Sequence, residues 1–165
     1  MNRCAECGFD YATAGPDSLP AYGPLYAEAL TGSGDPRRRS AEGVWSPLEY
    51  ACHVRDVLRV QRERVLLALA EDDPVFTPMG RDELVVTSAY NRQDPAAVLA
   101  GLTAAAADLA AVFASLQPED LSRTGTYTWP EEAVRSLDWL GRHSVHEAEH
   151  HLLDIRRQSL PGEPS

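Results

Sequence analysis

The chain contains no lysine; all 15 of its basic residues are arginine. That absence excludes Schiff-base catalysis, a phosphate-loop lysine and a lysine-bound pyridoxal cofactor, and it fits a GC-rich genome. Basic charge as a whole is scarce, 15 residues against 25 acidic ones for a formal net charge of -10. A surface this acidic repels phosphate backbones and anionic lipid, so neither nucleic acid nor a membrane is an expected partner. Cysteine is limited to Cys4, Cys7 and Cys52, an odd number that does not make a disulfide framework. The start, Met1-Asn2-Arg3-Cys4, carries no apolar leader, and no apolar run approaches the ~20 residues that span a bilayer. A reducing cytoplasm is therefore the expected location. What remains is ordinary: 165 residues, 44% apolar and 24% charged, enough for one globular domain that buries roughly 70% of its unfolded surface.

Proline and glycine divide the chain into four amphipathic helices. The first is expected over 18–31, with Leu19, Tyr22, Leu25, Tyr26 and Leu30 at helical spacing and Gly32-Ser33-Gly34 as its stop. The second opens at Trp45-Ser46-Pro47-Leu48-Glu49, where Ser46 caps, Pro47 takes the first helical position and Glu49 closes a capping box. Its stripe of Tyr50, Val54, Val57, Leu58, Val65 and Leu69 ends at Asp72-Asp73-Pro74. The third opens at Asp94-Pro95 and buries a seam of Val98, Leu102, Ala105, Leu109, Val112 and Leu116. The fourth is expected from near Ser136 to Ser159. Four such helices predict an all-α four-helix bundle over 18–160, flanked by a CxxC segment over 1–17 and a tail over 161–165. The links over 72–93 and 117–135 exceed the 2–8 residues of a direct turn. The first of them is long enough to cross over and make helices two and three parallel neighbours. Leu84-Val85-Val86 and Thr126-Tyr127-Thr128-Trp129 read as short extended pieces within these links.

Four of the five histidines, His143, His146, His150 and His151, lie within nine positions of the last helix. Steps of four and three place Trp139, His143, His146, His150 and Leu153 on one stripe, the same stripe that should face the core. Several inward imidazoles each need a buried partner, and a shared metal ion supplies one. His146 and His150 are four apart, about 6 Å of rise on one face, whereas His143 and His150 are about 10 Å apart. The only histidine outside the cluster is His53, beside the apolar stripe of the second helix. One divalent metal held by His53, His146 and His150 is the expected site. The string His146-Glu147-Ala148-Glu149-His150 also matches HExxH, in which Glu147 would be a general base. A metalloprotease would need a third ligand downstream, where one subclass would have a histidine at the position of Arg156, and a strand edge for its peptide.

Cys4-Ala5-Glu6-Cys7-Gly8 has the form of a zinc-knuckle turn but supplies only half of a tetrahedral site. Cys4 and Cys7 are candidates for a second metal or a redox site. They could borrow His143 or His151, pair across a dimer, form a reversible disulfide or reach toward the main metal. Cys52 points about 100° away from His53 on its helix and reads as a small packed residue.

Trp45-Ser46-Pro47-Leu48-Glu49-Tyr50-Ala51-Cys52-His53, followed 93 residues later by His146-Glu147-x-x-His150, resembles the DinB/YfiT superfamily, in an actinobacterial-type member, over roughly 18–158. The resemblance implies a four-helix bundle with parallel second and third helices and a zinc, nickel or iron ion held by one histidine of the second helix and a pair on the last. By position these are His53, His146 and His150. In the maleylpyruvate isomerase branch the first ligand of the last helix is usually glutamate, and this alignment puts His146 there. The family includes low-molecular-weight thiol transferases, mycothiol-dependent isomerases and metal-dependent hydrolases.

The implied function is a metal-dependent transferase that joins a mycothiol-like thiol to a small electrophile through a metal-activated thiolate. The cofactors are then a divalent metal, zinc first, and the thiol as cosubstrate. The alternatives are a hydrolase using metal-bound hydroxide and a non-catalytic bundle that binds a small molecule or partner. Arg55, Arg59 and Arg92 are candidates for docking an acidic cosubstrate, and Tyr90-Asn91-Arg92 for a lid. A homodimer is compatible with the acidic surface.

Overall fold

The computed structural model describes residues 3–159. The tail expected over 161–165 lies outside the described residues, as do Met1, Asn2 and residue 160. A turn-rich segment leads through a 3-10 turn, Pro16–Ala21, into α1 (Tyr22–Gly32) and then α2 (Pro47–Ala70). The first long link contains β1 (Val75–Phe76) and α3 (Arg81–Thr87) and leads to α4 (Pro95–Ser115). The second contains β2 (Thr124–Tyr127) and β3 (Ala133–Ser136), after which α5 (Leu137–Ser159) ends the described chain. The bundle consists of α1, α2, α4 and α5, and a small sheet of order β1-β2-β3 closes one end. β1 runs parallel to β2, and β2 antiparallel to β3. Thr126 and Tyr127 are thus strand as expected, whereas Leu84-Val85-Val86 belong to α3. A helix suits that stretch because only Val85 of the three is fully buried, Val86 being 78% exposed.

α2 begins where its capping box places it. Glu49 N–H donates to Ser46 Oγ at 3.1 Å, and Ser46 N–H donates to Glu49 Oε2 at 2.8 Å. Glu49 is buried, which alone would raise its carboxyl pKa. Arg39, whose Nε donates to it at 2.9 Å, and the Ser46 N–H together hold it below the usual carboxylate range. At the other end Arg123 donates to the carbonyls of Ala68 and Glu71, groups a helix terminus otherwise leaves unpaired.

The crossover returns the chain to the start of α2. Ser46 Oγ donates to Asn91 Oδ1 at 2.7 Å, and Tyr90 is fully buried with its hydroxyl donating to Asp56 Oδ2 at 2.6 Å. α4 then runs parallel to α2: Gly101 lies against Arg55 and Arg59, and Asp108 shares a surface hollow with Arg62 and Glu63. α5 runs antiparallel to α2, with His151 beside His53 and Gln158 donating to the Trp45 carbonyl at 3.0 Å. In α4 the buried seam is Val98, Leu102, Ala105, Leu109 and Phe113, the last in place of Val112, because 3.6 residues per turn drift away from a strict seven-residue repeat. α4 corrects the expectation that no apolar run approaches membrane-spanning length: by length and composition it is apolar enough to cross a membrane. Much of that apolarity is alanine, and the seam packs into the core against α1 and α2.

The histidine stripe needs a correction. The core face of α5 is Leu137, Leu140, Val145, Ala148, Leu152 and Ile155. The histidines occupy its two flanks and are half-buried rather than central. In the sheet, Gly125 makes room for the tip of the Phe76 ring, since a Cβ there would sit 2.2 Å from Phe76 Cζ. Replacing Ser46 by alanine removes the cap and leaves the Asn91 side chain without its donor. The expected cost is about 1–2 kcal/mol, seen as a lower urea midpoint with an unchanged slope.

Candidate metal centre

Residues one apart on a helix differ by 100° in direction, and α5 uses that difference to present two neighbouring faces. Glu147 and His151, one turn apart, face α2. His146 and His150, also one turn apart, face the N-terminal segment. Among the described residues, His53 gathers with Glu147 and His151, one ligand atom from each within 4.8 Å of the others. His146 and His150 gather in the same way with Cys4 and Cys7. Two smaller groupings, His143 with His146 and Glu147, and His150 with His151 and Asp154, reuse these residues. The trio expected from spacing, His53, His146 and His150, is therefore divided between two clusters.

In the first cluster Glu147 Oε2 lies 3.9 Å from His53 Nε2 and 3.6 Å from His151 Nε2. These separations are too long for hydrogen bonds. They are close to the about 3.4 Å between two donors on a tetrahedral ion. His151 Nδ1 lies 2.9 Å from Asp154 Oδ2; a proton there leaves Nε2 as the free donor, the outer-sphere arrangement common to metal-binding histidines. His53 is 2% exposed, and its Nδ1 has no hydrogen-bond partner among the described residues. Trp45 packs on His53 and Tyr50 stacks on His151, fixing both rings.

Electrostatics agree with an acceptor-rich pocket for a cation. Burial opposes the charge on Glu147, but the imidazoles of His146, His151 and His53 outweigh it and hold the carboxyl well below its usual range. Burial lowers the pKa of His53. Burial also acts against charge on His151, but Asp154 and Glu147 prevail and raise it to about 9.

His53 and Glu147 open onto a cavity of about 820 Å³ between α2, α5, the crossover and the β2–β3 hairpin. His143 lines it too; it stacks on Trp139 at 4.4 Å, with Tyr11 Oη 3.1 Å from its Nδ1. Three arginines reach the cavity, each held over an aromatic ring: Arg64 over Tyr127 at 4.8 Å, Arg81 over Trp129 at 5.4 Å and Arg135 over Trp139 at 4.8 Å. The arginines expected to dock a cosubstrate lie elsewhere. Arg55 and Arg59 both pair with Asp56 on the side of α2 that faces α4. Tyr90-Asn91-Arg92 is not a lid but a 3-10 turn packed on the start of α2. Cys52 is a buried packing residue, its thiol pushed up to about 12 by burial.

The residues missed by sequence reasoning are Glu147 and His151 as a pair, and Arg64, Arg81 and Arg135. The pair did carry a signal: Glu147-x-x-x-His151 has the same four-residue spacing as His146 and His150, with Asp154 one turn further on. No such signal marks the arginines, which come together only through the crossover and the hairpin. His53→Ala or Glu147→Gln should remove about one equivalent of bound metal, and Asp154→Asn should weaken affinity about 10–100-fold. Elemental analysis of untagged protein and chelator competition measure these effects.

A model of the DinB superfamily matches residues 26–155. Among solved structures, YfiT from Bacillus subtilis, described as a probable metal-dependent hydrolase with an unusual four-helix bundle topology, is similar with a TM-score of 0.74. The two are 21% identical, over 87% of this chain and 81% of that one. A search of curated protein sequences gives no match. The family match spans most of the bundle, from α1 to the last turns of α5, and with the YfiT-like architecture it places the chain in the DinB superfamily.

Proposed function

We propose that this protein is a metal-dependent enzyme that joins a low-molecular-weight thiol of the mycothiol type to a small electrophile. The observation that carries the reading is the position of His53, Glu147 and His151: three donors gathered together, of which His53 and Glu147 line a cavity whose walls hold Arg64, Arg81 and Arg135. Catalytic metal sites keep three protein ligands and a free position, whereas structural ones close with four. A divalent cation held there, zinc first among the candidates, would supply the charge that lowers the pKa of a thiol or water at neutral pH.

The chain's own residues do the rest. The three guanidiniums, propped on aromatic faces, offer forked donors to the carboxylates of an anionic substrate in a protein that is otherwise strongly acidic. His143 divides the cavity from the N-terminal segment. Its Nδ1 lies 3.1 Å from Tyr11 Oη, and its Nε2 faces Glu147 Oε1 at 3.6 Å. Burial lowers its pKa, so it stands neutral beside the carboxylate rather than competing with a cation.

Hydrolysis by the same site is the second reading, favoured by the likeness to YfiT. The two are separated by incubating zinc-loaded protein with a panel of electrophiles, with and without thiol, and weighing the products. Thiol-dependent formation of an adduct supports the transferase, and addition of water without thiol supports the hydrolase. Turnover unchanged by chelation would sink both. Arg64→Ala should raise KM for an anionic substrate about tenfold, the effect of one lost charged hydrogen bond, and the difference should shrink as salt rises.

A further inference from the structure

The second face of α5 meets the Cys4–Cys7 turn, which the proposed activity does not use. We propose that Cys4, Cys7, His146 and His150 form a separate, closed metal site, a tetrahedral zinc of structural type that clips the N-terminal segment to α5. This inference is independent of the function of the cavity.

The donor set is complete. One atom from each of the four residues lies within 4.8 Å of the others, and Cys4 Sγ is 3.8 Å from His150 Nδ1. Donors around a tetrahedral zinc with two sulfur and two nitrogen ligands stand about 3.3–3.8 Å apart, so only a slight closure is required. The turn is shaped for the task. Gly8 has φ +75°, its N–H donates to the Cys4 carbonyl at 3.0 Å, and Cys4 N–H donates to the Phe9 carbonyl at 2.8 Å. The N–H groups of Cys7 and Glu6 point at the Cys4 sulfur, which favours its thiolate form.

Both histidines are poised in the same sense. His146 buries both ring nitrogens with no hydrogen-bond partner among the described residues. Burying them so is unfavourable, and coordination would offset it for at least one nitrogen. His150 turns Nδ1 to the sulfur and Nε2 to Glu6 Oε2 at 3.3 Å, the carboxylate-to-imidazole pairing found outside metal ligands. Two thiolates also neutralise a divalent ion, so the closed site adds no net charge. A Cys4–Cys7 disulfide would instead leave His146 unsatisfied, and both thiols are free here.

The clip has a consequence for the cavity wall. The segment already packs on α5 through Phe9 and Tyr11 against His146 and through Tyr11 against His143, with Arg142 donating to the Tyr11 carbonyl at 2.9 Å and Arg157 to the Glu6 carbonyl at 3.1 Å. A zinc at the turn would hold Tyr11 in place against His143.

The test uses the untagged full-length protein, reduced and loaded with cobalt(II). Thiolate-to-cobalt charge-transfer absorption in the near ultraviolet is expected in the wild type. It should persist in the His53→Ala/Glu147→Gln variant and vanish in Cys4→Ser/Cys7→Ser. Loss of the cavity metal alone would leave the band untouched, so failure of the two sites is distinguishable. If the cysteine variant does not fold, mercurial titration of zinc-loaded wild type decides: about one zinc released per two thiols supports the site. A reduced, cobalt-loaded wild type without the charge-transfer band, or zinc retained after Cys4 and Cys7 are titrated, would overturn it.

Discussion

Glu147 is a carboxylate that the fold encloses in imidazole. His53, His143, His146 and His151 each bring a ring nitrogen within 3.9 Å of one of its oxygens. A carboxylate removed from bulk water needs positive charge close by, and here the surrounding groups either hold a proton or make room for a cation. His151, raised to about 9, is the group that holds the proton. A metal ion would displace that proton, which makes metal affinity and pH two views of one equilibrium. The aromatic packing of Trp45, Tyr50 and Trp139 around these rings keeps the donors from turning away to water.

That arrangement depends on the bundle topology. Because the crossover carries the chain back before α4 begins, α2 packs against α4 on one side and α5 on the other. The crossover itself is left to cover the end of the α2–α5 groove. The β1–β2 pairing ties it to the second link, and Phe76 resting on Gly125 seals the junction. The cavity is thus enclosed partly by rigid helices that hold His53, Glu147 and Arg64 and partly by connections that bring Arg81 and Arg135.

Local signals made the architecture legible. The box at Ser46 and Glu49 and the cap at Asp94 set two helix starts to the residue, and the length of residues 72–93 announced the crossover. His53 was legible for the same reason, since a histidine beside an apolar stripe points inward. The division of labour on α5 was not. Glu147/His151 and His146/His150 have identical spacing, and only the direction of the core face, set by Val145, Ala148 and Leu152 against α1 and α2, decides which pair meets His53. Cys4 and Cys7 were recognised as half a site, but their partners lie some 140 positions away in sequence. Neither His143 nor His151, the partners weighed for them, is in their group.

The crossover is anchored at both ends and pinned between them by the buried Val85 and by Arg64, which donates to the Thr77 carbonyl at 2.9 Å. Asn91 holds it to the head of α2 through Ser46, and the β1–β2 ladder holds it at the tail. The donors below belong to other elements, and the span between these anchors reaches them through charge, Arg81 helping to lower the pKa of His53. Exposed positions of that span, such as Val86, can vary without moving the helices that carry His53, Glu147 and His151. On the proposed function, a chain built this way could keep its metal centre while Arg81 and Arg135 change, because those two arginines come from the connections and not from the helices that carry the donors.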